Sequence, residues 1–566
     1  MNAERKRLYL NRRRGLGHWI RSGEPMVWFN AGAVSFSLLA VFGLLWLLAW
    51  HGLGHFWPRE LLEFSVNRDG EQYTVLGEQV SSERVSGEQL RAAGVSGVDG
   101  QWERRRLIKR GNRDFLDTDF AWLLDSSIVE VGRPAGVMRV ERLEWGNLYG
   151  RLVRLEDRGT PLISTTMDSA ATWSRFQSLV ADNQALREEI RDIEREEVGR
   201  INFAMERLRL RERRLAMSDE PLPQWIADER RALEADYDVA RQRLLTLYEQ
   251  RERYSYRVAL ADGREVTLPL GQVVRAIQPN DMSLPARLDY YRVRLWEFLS
   301  DEPREANTEG GVYPAIFGTV LMVLLMSIMV TPFGVLAAVF LHEVAGQGRI
   351  TRVFRAAVNN LAGVPSIVYG IFGLGFFVYG VGGDLDQLFF PEALPSPTYG
   401  TPGLMWASLT LALLTLPVVI VATEEGLARI PASIREGSLA LGATRAETLW
   451  RVVLPMASPA MMTGVILAVA RAAGEVAPLM LVGVVKLAPT LPLDGNFPYL
   501  HLEQKFMHLG FHIYDVGFQS PNIEAARPLV YATALLLVLI IALLNLAAVA
   551  LRNRLRERYA ALDGSV

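Results

Sequence analysis

From Val27 to Trp50 the chain runs without a charged residue, after a segment that holds Arg5, Lys6, Arg7, Arg12, Arg13, Arg14 and Arg21. About 20 apolar residues suffice for a helix to cross a bilayer. In hydrocarbon the backbone must satisfy its own hydrogen bonds, so such a stretch folds as a helix. Trp28 and Trp50 stand near its ends, where amphipathic rings suit the headgroup region. The stretch is longer than a signal-peptide core and no A-x-A site follows, so residues 27–50 read as a retained first span. Further apolar stretches predict spans near 313–341, 361–381, 402–423, 456–485 and 528–550.

The stretch 456–485 is longer than one crossing needs and contains Pro459 and Pro478, so it is either one broken span or two short ones. Charge asymmetry decides. Arg349, Arg352 and Arg355 share one short connection, and the next holds Asp384, Asp386 and Glu392 with no base. The tail carries Arg552, Arg554, Arg556 and Arg558. Basic residues favour the cytoplasmic side, and that rule holds throughout if 456–485 crosses once and the basic segment 1–26 is cytoplasmic. The expectation is six spans with both termini cytoplasmic, including the tail 553–566. Residues 51–305 then face the periplasm and 424–452 the cytoplasm.

Mean hydropathy is only +0.11 because the 566-residue chain mixes these spans with a large polar region. The net charge of −2 argues against a nucleic-acid binder driven by bulk charge. There is no Cys, which excludes disulfides, thiolate metal sites and cysteine nucleophiles. The seven His residues form no H-E-x-x-H or similar cluster. No Gly-Lys dipeptide occurs, so a P-loop is impossible and any ATP is bound by another polypeptide.

Within 51–305, "EQYTVLGEQV", "SSIVEVGRP", "GVMRVERLEW" and "LYGRLVRLED" alternate like strands and are broken by turn signals. A charged helical region follows over Ala170–Met217, with Leu186, Ile190, Ile193, Ile201, Met205 and Leu208 near helical spacing. "SDEPLPQW" breaks it at Pro221 and Pro223. A second helix has Ile226, Leu233, Ala240 and Leu247 at spacing seven. The pair over 170–254 reads as a long antiparallel helical hairpin of coiled-coil type, and its alternating Glu and Arg as a solvated face. "YSYRVALADGREVTLPL" returns to strand pattern with a turn at Asp262-Gly263. The hairpin is thus inserted into a small β module.

"SIREGSLALGATRAETLW", residues 433–450, interrupts the spans with a compact, charged segment. Ser433 with Glu436, and Thr444 with Glu447, have the spacing of a capping box. Gly442 lies between them, where a left-handed residue ends a helix. Two short helices with a tight turn follow, with Leu439, Leu441 and Leu449 to bury. Gly437 should cost about 1 kcal/mol inside a helix, which close approach of another surface would explain. A DNA-binding pair of helices, a structural loop and a rigid docking element for a cytoplasmic partner compete. The last fits best, because a rigid pair transmits a push to both adjoining spans.

"EGSLALGATRAETLWRVVLP" resembles the E-A-A-x-x-x-G-x₉-I-x-L-P loop of ABC importer permeases. Glu436 and Gly442 match its Glu and Gly, and Leu454-Pro455 its closing L-P; Gly437 and Ser438 replace the two Ala. In that family this loop forms coupling helices that seat on the ATPase subunit, here at 433–452. "LAGVPSIVYGIFGL" and "ARAAGEVAPLMLVG" resemble the phosphate-specific permeases, and Gly474-Glu475-Val-Ala-Pro478-Leu479 the PstA type more than the PstC type. The resemblance covers roughly 310–550 and the first span, and leaves 51–305 unexplained.

The resemblance implies a type I ABC importer transmembrane domain over 306–552, six spans in all, with an inserted periplasmic α+β domain. It implies an inner-membrane permease that is not itself an enzyme. Its partners would be a PstC-type permease, an ATPase dimer carrying ATP and Mg, and a periplasmic phosphate-binding protein. No metal or cofactor is expected in this chain. Arg471 and Glu475, four residues apart in a mostly apolar span, are the candidate substrate path. Arg presents a planar set of donors suited to phosphate oxygens, and Glu475 would keep binding weak enough for release. A structural ion pair locking two spans is the other reading. Gly363, Pro365, Ser366 and Gly370 suit close helix packing, and Asn545 an interhelical hydrogen bond. Another oxyanion or small solute as substrate, or a membrane-anchored scaffold or sensor built on the hairpin, are the competing functions.

Overall fold

The computed structural model describes residues 24–560 apart from 69–70, 93–100, 117, 167, 305–306, 347 and 521–522. The basic segment before residue 24 and the end of the tail, 561–566, lie outside the described residues. Helix α1, Glu24–Leu53, carries the first apolar stretch. A turn at Gly54–Phe56 then leads into the polar domain.

That domain holds two antiparallel sheets. The first consists of β1 Leu61–Arg68, β2 Glu71–Ser86, β3 Trp102–Lys109, β4 Phe120–Leu124 and β5 Ile128–Gly132, in the order β4-β3-β2-β1-β5. Alternate residues Phe64, Val66, Val75, Ile108 and Leu123 form its buried face. The second sheet begins with β6 Val137–Arg142, β7 Asn147–Asp157 and β8 Thr160–Ser164. The chain then leaves it as α2 Ser169–Asp192, continues through a π turn into α3 Gly199–Met217, and returns as α4 Gln224–Glu252. Strands β9 Tyr254–Ala259, β10 Glu265–Pro269 and β11 Val273–Ile277 complete the order β10-β9-β7-β6-β11, with β8 on β7. Strands β7 and β9, on either side of the helical excursion, are neighbours, with Leu152 opposite Val258 and Asp157 opposite Tyr254. The helical hairpin is therefore an excursion from one continuous sheet. Phe176, Leu179 and Val180 of α2 pack on that sheet with Met138, Val140, Tyr256 and Val258.

Farther out the two arms hold each other. Ile190, Ile193, Ala240 and Leu247 are buried between them, and Arg243 on α4 pairs with Glu189 and Glu197 on the opposite arm. Asp168 caps α2 by accepting from the Ala171 N–H at 2.9 Å. At the base of the domain, Arg142 is fully buried and donates to both oxygens of Asp114, at 2.7 and 3.0 Å. Helix α5, Leu284–Ser300, leads back towards the membrane. Phe56 after α1, Phe298 on α5 and Val312 just before the second span lie in one buried cluster. The domain leaves and rejoins the membrane part at neighbouring points.

The membrane part contains α6 Tyr313–Val339, α7 Arg349–Leu361, α8 Ser366–Phe372, α9 Gly383–Phe389 and α10 Leu404–Ala428. After these come α11 Ala432–Ala440, α12 Arg445–Thr448, α13 Leu454–Ala472, α14 Leu479–Val482, α15 Leu509–Tyr514 and α16 Ile523–Ala560. Among the described residues, six stretches are long and apolar enough to cross a membrane: Met26–Phe56, Tyr313–Val344, Ser366–Phe389, Leu404–Ala428, Arg445–Ala472 and Ala526–Arg554. The chain is a helical polytopic membrane protein.

The fifth stretch departs from expectation. It begins at Arg445, not near 456, and stops at Ala472, not at 485. It starts early because α12 runs on through a π turn, Leu449–Val453, into α13. The wider turn lets Pro455 follow without its ring striking the carbonyl four residues back. It ends early because Gly474 and Pro478 open the backbone, leaving α14 as a single turn. Asn545 also departs from expectation: among the described residues its buried Oδ1 has no hydrogen-bond partner.

The hairpin touches the membrane part. Arg214 on α3 pairs with Glu392, whose side chain is buried, and the ring of Phe203 meets His501 edge-on at 5.8 Å. Both partners lie in loops at the same end of the spans as the polar domain.

Candidate functional site

The segment 433–450 folds as an elbow. Helix α11 starts directly after Pro431 and no side chain caps it, so Ser433 and Glu436 do not form the expected capping box. The proline supplies the extended backbone before the first turn, and Ser433 falls inside that turn, too late to cap. At the other end Gly442 has φ +89°, its N–H donates to Leu439 O at 3.0 Å, and the Ala443 N–H donates to Ser438 O at 3.3 Å. These are the two bonds of a Schellman ending. Thr444 and Glu447 do form the reciprocal capping box that opens α12. The second short helix is thus the first turn of the fifth span.

The site residues of this segment divide into two sets. Glu436, Gly437 and Gly442 are exposed, and a Cβ on either glycine would meet nothing within 4 Å. Ser438 turns inward and shares a hydrogen bond of 2.8 Å with Thr448, tying the two limbs together. Leu454 packs on the cluster of Val335, Val339, Leu427, Ile430, Val453 and Ala457, and Pro455 is half-buried beside it. Leu441, expected to be buried, is 92% exposed, and Leu439 is exposed too. The elbow therefore presents Glu436, Gly437, Leu439 and Leu441 outward on a rigid turn.

Arg435 does the anchoring. It donates to the carbonyls of Ile430 and Leu427 at 2.7 and 2.9 Å, closing the C-terminus of α10, and to Glu343 Oε1 at 2.8 Å. Glu343 ends the second span, so one guanidinium joins the elbow to two spans. A basic side chain at a helix C-terminus is favoured by the unpaired carbonyls there. In the sequence Arg435 was one charge among several, and nothing at fixed spacing pointed to Glu343.

Arg471 and Glu475 are brought together, though not along one helical face. Helix α13 ends at Ala472, and Glu475 lies beyond it in a turn whose N–H donates to Ala472 O at 3.2 Å. Arg471 Nε stands 3.5 Å from Glu475 Oε1, with side chains 34% and 20% exposed. That is an ion pair with no hydrogen bond, since donor and acceptor are too far apart. Among the described residues no acceptor takes the remaining donors of Arg471. Helix α8 crosses the same break: a Cβ on Gly370 would come within 2.7 Å of Pro478 Cα. Gly370 serves close packing, while Gly363 approaches only Asn360 O.

Beyond the break lies a polar group with no sequence signature. His508, His512 and Asp515 are almost fully buried around α15. Asp515 Oδ2 takes hydrogen bonds or ion pairs from Asn307 at 3.0 Å and Lys486 at 3.1 Å. His508 Nδ1 accepts from the Gly510 N–H at 3.1 Å, and among the described residues neither nitrogen of His512 has a partner. Burial lowers the pKa of each imidazole to about 4.

Residues 330–558 match the model of a family described as "Binding-protein-dependent transport system inner membrane component". The chain is 36% identical over 248 residues to phosphate transport system permease protein PstA 1 of Mycobacterium tuberculosis (strain CDC 1551 / Oshkosh), covering 43% of this chain and 71% of that one. It is 34% identical over 276 residues to PstA of Mycobacterium leprae (strain TN), covering 48% and 81%. With a probable PstA of Methanocaldococcus jannaschii it shares 31% over 242 residues, covering 42% and 74%. Six apolar helices among the described residues, the elbow between the fourth and fifth, and relatives matched over more than two thirds of their length agree: the chain belongs to the ABC importer permeases, and within them to the PstA type.

Proposed function

We propose that this permease is a transmembrane subunit of an ATP-driven importer of inorganic phosphate. It pairs with a PstC-type permease, an ATPase dimer that binds ATP and Mg, and a periplasmic phosphate-binding protein. The elbow 433–450 seats on the ATPase through Glu436, Gly437, Leu439 and Leu441, on the cytoplasmic side. Closure of the ATPase dimer pushes it. Arg435 passes the push to the second and fourth spans, while α12, continuous with α13, passes it to the fifth. The polar domain faces the periplasm.

The observation that carries the phosphate reading is Arg471, a guanidinium at the end of a span with its N–H donors unspent and one carboxylate held 3.5 Å away. A fixed cation beside a partial counter-charge attracts an oxyanion and still releases it. The loose contact favours this role over a purely structural pair, which gains most from close, hydrogen-bonded geometry. The deciding experiment reconstitutes the assembled complex with its binding protein and measures ATPase stimulation by phosphate, sulfate and molybdate. Stimulation by phosphate alone supports the reading. Equal stimulation by sulfate or molybdate, or none by phosphate, refutes it.

A further inference from the structure

We propose that α7 lies in the headgroup region of the membrane leaflet at the elbow's end of the spans and binds anionic phospholipid there. Helix α7 is strung between the second and third spans by short links, 345–348 and 362–365. It divides into three stripes. Thr351, Arg355 and Val358 face the protein: Thr351 is buried, Arg355 donates to Leu341 O at 3.0 Å and pairs with Glu424, and Val358 packs near Ala338, Leu341 and Ile420. Ile350, Val353, Phe354, Ala357 and Leu361 form an apolar stripe, with Ile350, Val353 and Phe354 exposed to 74%, 66% and 57%. Arg349, Arg352, Asn359 and Asn360 form a polar stripe.

At roughly 100° per residue the apolar stripe points about a quarter turn from the protein contact, and the polar stripe lies towards the opposite side. A helix resting sideways against a bundle, with its apolar stripe towards acyl chains and its polar stripe towards water, has this arrangement. Two observations select the bilayer as the occupant. The exposed apolar row Phe333, Leu336, Phe340 and Val344 on the second span runs down to the link before α7, so the apolar surface is continuous with a membrane-crossing helix. Arg349 and Arg352 have no carboxylate partner among the described residues and flank the apolar stripe, as expected of a surface that meets anionic headgroups. Arg355 with Glu424, and Arg435 with Glu343, link this helix and the elbow to the same span ends. Lipid held by α7 therefore acts where the elbow pivots.

The chain has no Cys, so single cysteines report without background. Val353→Cys, Phe354→Cys and Asn359→Cys are labelled with a fluorophore on the full chain, assembled with its partner subunits in nanodiscs. Phosphatidylcholine or phosphatidylglycerol carries a nitroxide near the glycerol end of its acyl chain. Quenching at 353 and 354 should exceed that at 359 by about twofold or more, as depth in an interfacial helix requires. It should also be stronger with the nitroxide on phosphatidylglycerol. Arg349→Gln/Arg352→Gln should remove that headgroup preference and leave the quenching itself. If Phe354→Cys fails to assemble, Val353→Cys carries the test alone. Quenching at 353 no greater than at 359 would mean that water or a protein partner covers the stripe, which overturns the proposal. A headgroup preference that is absent, or that survives the Arg substitutions, overturns the anionic-lipid assignment.

Discussion

Gly442 offers a test in which backbone conformation can be separated from packing. Its φ of +89° is one that L-residues rarely adopt, and a Cβ there would meet nothing within 4 Å. Any penalty for a side chain is therefore conformational. An L-residue in the left-handed region costs about 1–2 kcal/mol, with β-branched residues at or beyond the upper end. Since about 1.4 kcal/mol corresponds to a factor of ten, Gly442→Ala should lower the weight of the elbow about fivefold and Gly442→Val by some thirtyfold. Gly442→Asn should lose least, because Asn tolerates the left-handed conformation. The Schellman bonds to Leu439 and Ser438 hold α11 against α12, so coupled uptake should fall in the order Gly, Asn, Ala, Val while the spans still insert. The assay is labelled-phosphate uptake normalised to assembled complex. Full uptake by Gly442→Val, or Asn as damaging as Val, would refute the argument.

Arg471→Ala should abolish uptake, with Arg471→Lys restoring it poorly; Arg471→Leu/Glu475→Leu should assemble and still fail to transport. Recovery of uptake in the double variant would leave Arg471 a packing residue. Asp114→Ala strands the buried guanidinium of Arg142 and should destabilise the polar domain by about 3–5 kcal/mol, read as a loss of its cooperative melting transition. His508 and His512 are held neutral, so the unfolded chain binds protons that the fold refuses. Stability should fall as pH drops from 6.5 towards 4, by up to ~3 kcal/mol per imidazole, and His512→Gln should flatten that slope in pH-dependent melting. Protease added outside intact spheroplasts should cut the hairpin tip at 218–223; cleavage only after lysis would reverse the proposed topology.

Spans and strands were legible because each rests on a local regularity: an uncharged run, an alternation, a turn dipeptide. The hairpin was legible through Ile190, Ile193, Ala240 and Leu247, whose spacing alone places them between two helices. What failed depended on neighbours that sequence spacing does not reveal. Ser433 and Glu436 had capping-box spacing, but Pro431 set the helix start two residues too early for them. Arg471 and Glu475 had helical spacing, yet Gly474 had already ended the helix. Arg435 meets Glu343 across 92 positions and His508 is buried by distant elements, so neither role leaves a local trace.

The shared cluster of Phe56, Phe298 and Val312 has a consequence for how this chain can vary. Because the polar domain departs and returns through adjoining points, its size is invisible to the membrane part. A loop whose ends already meet gains little closure entropy when shortened and loses little when lengthened. Residues 57–311 thus form a cassette by their attachment: removing them and joining the first span to the second through a short Gly-Ser bridge should leave each span's end near its place. What the excision forfeits is Phe298 from the shared cluster, the hydrogen bond of Asn307 to Asp515, and the side grip of Arg214 on Glu392 and of Phe203 on His501. The permease can keep its membrane architecture across large differences in chain length, while the grip of the hairpin decides whether the cassette is cargo or is geared to the distant loops it touches.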